Sequence, residues 1–293
     1  MTGQRPLRSV LYVPGDNERA MEKAPGLPVD ALIYDLEDAV APRNKASARA
    51  RVCQAVSSRE PGSRFIAIRL NELSSEFGLK DLRAALEARP DALVLPKVET
   101  KKQLRELSSA IERHEEGAER ETMQIWAMME TPRAILNVKQ IAKLSKKPVP
   151  RLSAFVLGFN DLGKLTGVAP NRMDGWRMEC VLAARAYGLT IIDGVFNQFK
   201  DKTGLQQECQ RGREMGFDGK TLVHPAQIDI ANRVFSPDDE QLQEARALKA
   251  LFERKGNENA NVLELKGKMV ERLHYEMAID ILKTAKMIEE GGQ

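Results

Sequence analysis

Short apolar runs rich in β-branched residues alternate along the chain with longer amphipathic stretches, the pattern of βα units around a parallel sheet. Eight runs read as strands: Ser9–Val13, Ala31–Asp35, Phe65–Leu70, Ala92–Leu95, Ile125–Met129, Ala154–Leu157, Thr190–Ile192 and Thr221–Val223. The stretches Lys45–Ser57, Leu79–Ala88, Thr100–Arg113, Pro132–Leu144, Gly175–Tyr187 and Leu205–Met215 read as helices between them. The strand runs are nearly continuous in apolar residues, as expected when both faces of a sheet are covered. Eight such units predict an α/β fold, a (β/α)8 TIM barrel over residues 1–235. A length of 293 residues suits that barrel, which takes ~250, plus a tail.

After Phe235 the pattern changes. Ser236 is the predicted N-cap of a helix with Pro237 at its first position, running to about Lys255. Gly256–Asn261 reads as a polar turn and Met269–Glu289 as a second helix. Residues 236–293 are therefore expected to form a C-terminal helical extension, not an independent domain. With no strand left to contribute, it is expected to pack outside the barrel, on its own subunit or a neighbour's.

Composition narrows the function classes. The 45 Lys and Arg nearly balance the 42 Asp and Glu, leaving a net charge of +3. No basic run is interleaved with aromatics, which argues against nucleic acid as a partner. Cys53, Cys180 and Cys209 are an odd, widely spaced set without a CxxC pair, read as free thiols of a reducing compartment. Met1–Ser9 lacks the apolar core of a secretory signal, and no run of ~18 apolar residues is present, so no membrane span is expected. A cytoplasmic protein is the expectation.

Enzymes on this barrel place their chemistry at the C-terminal ends of the strands. The residues at those ends are Asp35-Leu36-Glu37-Asp38, Arg69, Pro96-Lys97, Glu130, Asn160-Asp161, Asp193 and His224-Pro225. Glu130 and Asp161, on adjacent strands, are the best metal pair. Two carboxylates leave octahedral Mg2+ room for waters and substrate oxygens, and no His or Cys cluster favours zinc. The alternative is helix capping, since both precede turns. Arg69 is suited to hold a carboxylate in a two-pronged fork, or else to form a buried ion pair with Glu37 or Asp38. Gly219-Lys220-Thr221 is not a phosphate loop, because Glu214 stands where that motif needs glycine. Neither HExxH nor a GxSxG elbow occurs.

These residues carry a resemblance. Arg8–Gly15, Asp35–Val40, Ile68–Asn71, Leu95–Lys97, Met129–Pro132, Gly158–Leu162, Ile192-Asp193, Gly216–Lys220, His224-Pro225 and Gly267–Val270 resemble, in order and over nearly the whole chain, the citrate lyase β-subunit (CitE-like) and HpcH/HpaI aldolase family. That family includes malyl-CoA and citramalyl-CoA lyases on barrels of the phosphoenolpyruvate/pyruvate type. The resemblance implies Mg2+ (with Mn2+ as a substitute) on Glu130 and Asp161, and the keto-acid carboxylate on Arg69. Gly158, Phe159, Asn160 and Lys97 are implied to complete the substrate pocket. Glu37 and Asp38 join the catalytic set. It further implies a trimer or hexamer whose neighbouring tail acts as a lid.

The implied reaction is reverse Claisen cleavage of a 3-hydroxyacyl-CoA to acetyl-CoA and a 2-keto acid. Relatives carry an aspartate after Gly-Lys-Met-Val as the proton carrier; here that position is Glu271. A metal-dependent pyruvate aldolase is disfavoured because Asp38 stands where that group carries a histidine base. A citrate lyase β-subunit, working with an acyl carrier protein and the other citrate lyase subunits, and a non-catalytic acyl-thioester-binding paralogue are the alternatives.

Overall fold

The computed structural model describes residues 5–60, 64–116, 123–146, 151–257 and 259–291. Eight parallel strands close into a barrel in sequence order: β1 (Ser9–Pro14), β2 (Ala31–Asp35), β3 (Phe65–Arg69), β4 (Ala92–Leu95), β5 (Gln124–Met129), β6 (Leu152–Leu157), β7 (Thr190–Asp193) and β8 (Gly219–Leu222). Pairing of Ser9 with Lys220 closes the ring. The predicted strands are all present: β2 and β4 match at both ends, and the others differ by one or two residues at one or both ends. Intervening helices include Lys45–Ser57, Gly78–Ala88, Lys101–Glu115, Pro132–Ala142, Asp174–Tyr187 and Lys202–Glu214. Among the described residues no helix is long and apolar enough to cross a membrane.

Successive residues of a strand face opposite sides, so the interior is filled by every second position. Val10, Ala31, Ile33, Ala67, Ala92, Val94, Trp126, Met128, Ala154, Val156 and Ile192 form this inner core, with Tyr12 and Phe65 packed against it. Trp126 stacks on Phe65 with ring centroids 5.1 Å apart, and the alanines of the neighbouring strands make room for the two rings. Continuing the alternation past the core reaches Asp35 after Ile33, Arg69 after Ala67, Glu130 after Met128 and Gly158 after Val156. Register adds to this: Asp35 and Arg69 are direct cross-strand partners.

The contacts divide the chain into two compact units, one of Leu7–Asn232 and one that holds the chain from Arg233 onward together with the residues before Leu7. The second unit corrects three expectations. Its first helix, Asp239–Phe252, is capped by Asp238, whose side chain accepts from the Gln241 N–H while Gln241 answers, so Ser236 is not the cap and Pro237 lies outside the helix. Met269 does not begin a helix. An antiparallel hairpin of β9 (Val262–Leu265) and β10 (Lys268–Glu271) precedes a helix over Arg272–Gly291. The two-residue turn Lys266-Gly267 has φ of 51° and 77°, the left-handed pair that a tight hairpin requires. Of the predicted polar turn Gly256–Asn261, Glu258 lies outside the described residues. Ala245, Leu248, Phe252, Val270 and Ala278 make this unit's own core.

Candidate active site

Arg69 is the centre of the cluster at the C-terminal ends of β2–β5. Its Nε and Nη2 donate to the two carboxylate oxygens of Asp35 at 2.7 and 2.5 Å, a complete fork. Nη1 faces Glu37 Oε2 at 2.9 Å and Asp38 at 3.5 Å. The guanidinium carbon lies 4.9 Å from the Tyr12 ring centroid. The sequence anticipated pairing with Glu37 or Asp38; the principal partner is Asp35, because β2 and β3 place the two side by side. Burial works against ionising Asp35, yet Arg69 and the N–H groups of Glu37 and Ala39 hold its carboxyl below the usual range. Nη1 is the guanidinium nitrogen not committed to Asp35, and it faces Glu37 and Asp38.

Glu37 is buried and bridges two cations, Arg69 and Lys97, whose Nζ donates to Oε1 at 2.6 Å. Burial pushes the Glu37 carboxyl up despite both. Burial also works against the Lys97 ammonium, but Glu37 wins and holds its pKa above the ordinary value. Asp38, with 58% of its side chain exposed, is open to solvent. Asp35 and Glu37 are closed. Lys97 adopts φ of 51°, an uncommon conformation for a residue with a Cβ. That turn aims its backbone N–H at Glu130 Oε1, 2.7 Å away.

Glu130 is 1% exposed, and its second oxygen, Oε2, has no hydrogen-bond partner among the described residues. Burial drives its pKa from 4.5 up to about 8, with Glu37 and Asp161 adding to the shift and Arg69 opposing it. Helix capping does not explain Glu130, since Thr131 is the N-cap of the following helix and Pro132 its first residue. A Cβ on Gly158 would sit 2.5 Å from Glu130 Cβ and 2.6 Å from Oε2, so only glycine admits the carboxylate here. The helix Phe159–Thr166, which the sequence did not reveal, starts on Gly158 and carries Asp161 half-buried in its first turn.

Of the other predicted pocket residues, Asn160 is exposed and exchanges side-chain hydrogen bonds with Asn197. Phe159 is buried at 3%, its ring turned into the wall. Asp193 turns outward to Lys220 Nζ at 2.5 Å, which also explains the Gly-Lys-Thr run. His224 accepts from the Ala226 N–H and stacks on Phe199 at 4.6 Å. Glu271 belongs to the other compact unit, at the end of β10, where its N–H donates to His274 Nδ1.

A supporting layer escaped the sequence reading. Lys45 donates to the carbonyls of Leu36 and Glu37 at 2.8 and 2.7 Å, and Asn71 Nδ2 donates to Leu36 O and Asp81. Together they fix the 36–38 turn that presents Glu37. Asn71 had a legible signal, since it continues the alternation two residues past Arg69; Lys45 and Asp81 had none.

The donor set fits a divalent cation. Five carboxylates (Asp35, Glu37, Asp38, Glu130 and Asp161) meet three cations, Arg69 and Lys97 in the cluster and Lys45 behind it. A buried carboxylate oxygen is left without a partner beside a glycine cradle. Among the described residues no group of three or more His, Cys, Asp or Glu side chains is arranged around a common metal position. A hard ion held by two carboxylates takes its other ligands from waters and substrate.

The sequence profile of the HpcH/HpaI aldolase/citrate lyase family matches residues 8–225. A (3S)-malyl-CoA thioesterase of Cereibacter sphaeroides is 44% identical over 97% of this chain and 96% of its own length. The mitochondrial citramalyl-CoA lyase of Mus musculus is 33% identical over 97% and 88%. The protein CitE of Mycobacterium tuberculosis, solved in complex with magnesium, acetoacetate and coenzyme A, superposes with a TM-score of 0.76 at 26% identity, over 96% of this chain and 98% of that one. With the profile spanning most of the barrel and relatives above 30% identity covering nearly all of the chain, the protein belongs to the HpcH/HpaI aldolase/citrate lyase family.

Proposed function

We propose that the protein is a magnesium-dependent carbon–carbon lyase acting on a 3-hydroxyacyl-CoA of the malyl or citramalyl type. The observation that carries this reading is the buried, unpartnered Oε2 of Glu130 in a site with a surplus of carboxylates. The magnesium bound by the CitE relative and the CoA esters named for the other two relatives support it.

Glu130 and Asp161 would hold the ion. When bound it supplies Lewis acidity that favours loss of the substrate hydroxyl proton and polarises the forming carbonyl, worth several kcal/mol. The Nη1 edge of Arg69 receives the carboxylate beside that hydroxyl, and Glu37 and Lys97 keep the guanidinium and the 97–130 contact in register. Asp38, the open member of the acidic trio, takes the hydroxyl proton. The C–C bond then breaks, its electron pair passes to the thioester enolate, and a carboxylic acid returns a proton to the enolate carbon, giving acetyl-CoA and a 2-keto acid. From the resemblance we assign that acid to Glu271 of a neighbouring copy in a trimer or hexamer. General acid catalysis of this kind contributes ~10^2 to 10^4 in rate. The free thiols Cys53, Cys180 and Cys209 fit a reducing compartment such as the cytoplasm.

A second reading is thioester hydrolysis, favoured by the name of the 44% identical relative. Chromatography of the products of malyl-CoA, citramalyl-CoA and citryl-CoA separates the two. Acetyl-CoA with glyoxylate, pyruvate or oxaloacetate supports the lyase; free CoA with the intact hydroxy acid replaces it with a hydrolase. Inertness towards all three would shift the account to a carrier-protein-dependent subunit or a binding paralogue.

A further inference from the structure

The loop that carries Asp161 is anchored by an arginine that lies outside the barrel mouth. Arg177, in the helix Asp174–Tyr187, is 1% exposed, and its guanidinium carbon lies 4.3 Å from the Phe159 ring centroid. Gly194 lies at the ring's edge, where a Cβ would overlap it. Phe159 thus packs against a cation and a glycine, one residue past Gly158 and two before Asp161. Arg177 Nη2 donates to Glu208 at 2.5 Å, while its buried Nε and Nη1 have no hydrogen-bond partner among the described residues. Burying unsatisfied donors is costly, and a methionine would fill the same space without that cost. One edge of the guanidinium serves Glu208, and its flat, charged face lies on the ring.

We propose that Arg177 is a positioning residue for the metal site, setting the 158–161 turn through the face of Phe159. It touches neither substrate nor metal. With the ring held, the turn keeps Gly158 against Glu130 and Asp161 half-buried at the mouth, so the two carboxylates present one spacing. With the ring free, the first turn of the Phe159–Thr166 helix slides on the wall, and that spacing loosens. This rests on the assignment of Glu130 and Asp161 as the metal pair.

The test is Mn2+ binding, counted by electron paramagnetic resonance, in full-length wild type, Arg177→Met, Arg177→Lys and Phe159→Leu, with a melting temperature for each. Arg177→Met is expected to weaken Mn2+ binding about tenfold, the scale of an outer-shell partner. Arg177→Lys should recover part of the loss, because it keeps the cation but not the flat fork. Phe159→Leu should match Arg177→Met, and the double variant should be no worse than either, since both act through one contact. Unchanged Mn2+ affinity with a lowered melting temperature would overturn the proposal, as would additive losses. Should Arg177→Met not fold, Arg177→Lys and Phe159→Leu decide alone: full wild-type affinity in both overturns it. No Mn2+ binding by the wild type would overturn the metal assignment itself; binding retained in every variant overturns only the role of Arg177.

Discussion

The two ends of the barrel use the same arginine–aspartate fork for different ends. At the strand starts, Arg8 grips Asp30 with Nε and Nη2 at 2.9 and 2.7 Å, Arg59 grips Asp91, and Arg185 grips Asp218. Each of these aspartates sits one residue before β2, β4 or β8 and also accepts a backbone N–H from Arg8, Ile66 or Ile191. One cation meets one carboxylate, and every oxygen has a donor. At the other end Arg69 grips Asp35 with equal geometry, but Glu37, Asp38, Glu130 and Asp161 crowd the same space, with Lys97 and, behind the 36–38 turn, Lys45 to help. A two-pronged arginine–aspartate fork is therefore no mark of function. Surplus charge of one sign, with an oxygen left unpaired, is.

The largest break in this comparison is expected from Glu130→Gln. It removes one negative charge from the mouth and should cost well over the ~10–100-fold typical of outer-shell partners of a metal, read as kcat in saturating Mg2+. Next comes Asp30→Ala at the opposite end. It leaves Arg8 without its carboxylate and should cost roughly 2 to 3 kcal/mol in urea unfolding, somewhat below a fully buried pair, while kcat of the folded protein stays within twofold of wild type. A drop in kcat like that of Glu130→Gln would erase the distinction between the two ends.

A pH series sharpens the same contrast. Burial raises the Glu130 pKa to about 8 in the metal-free protein, so the folded state holds a proton that the unfolded chain releases near 4.5. Its contribution to stability is intact below that pH and is lost as pH climbs towards 8. A divalent cation favours the ionised carboxylate, so Mg2+ should raise the melting temperature by several degrees more at pH 8 than at pH 6. An increment that shrinks with rising pH would show that Glu130 is not a ligand. The smallest effect is expected from Glu271→Asp, a shortening of the arm by one methylene. A gain in turnover would show that the glutamate handicaps proton delivery, and a shift from free CoA to acetyl-CoA would assign it to hydrolysis.

Much of this was legible in the sequence, for one physical reason: the period of two. Core positions such as Ala31-Ile33, Ala67 and Trp126-Met128 run directly into Asp35, Arg69 and Glu130, so the inner face names the mouth. What failed to show was contact between distant elements. The fork on Asp35 needed the β2–β3 register, and the seat of Phe159 needed helix Asp174–Tyr187 packed on the wall. The β9–β10 hairpin was hidden because Leu265-Lys266-Gly267-Lys268 shows its turn only through two positive φ angles. At the strand starts, an aspartate immediately before β2, β4 and β8 was a signal the apolar runs overshadowed.

The central claim is that the carboxylate surplus at the mouth is a divalent-cation site built on Glu130 and Asp161. Its most direct test is a Mn2+ titration of the metal-free protein at pH 8, with Glu130→Gln and Asp161→Asn alongside. The account predicts one ion per chain in the wild type and none at matched concentration in either variant. Binding that survives both substitutions, or is absent from the wild type, would contradict it.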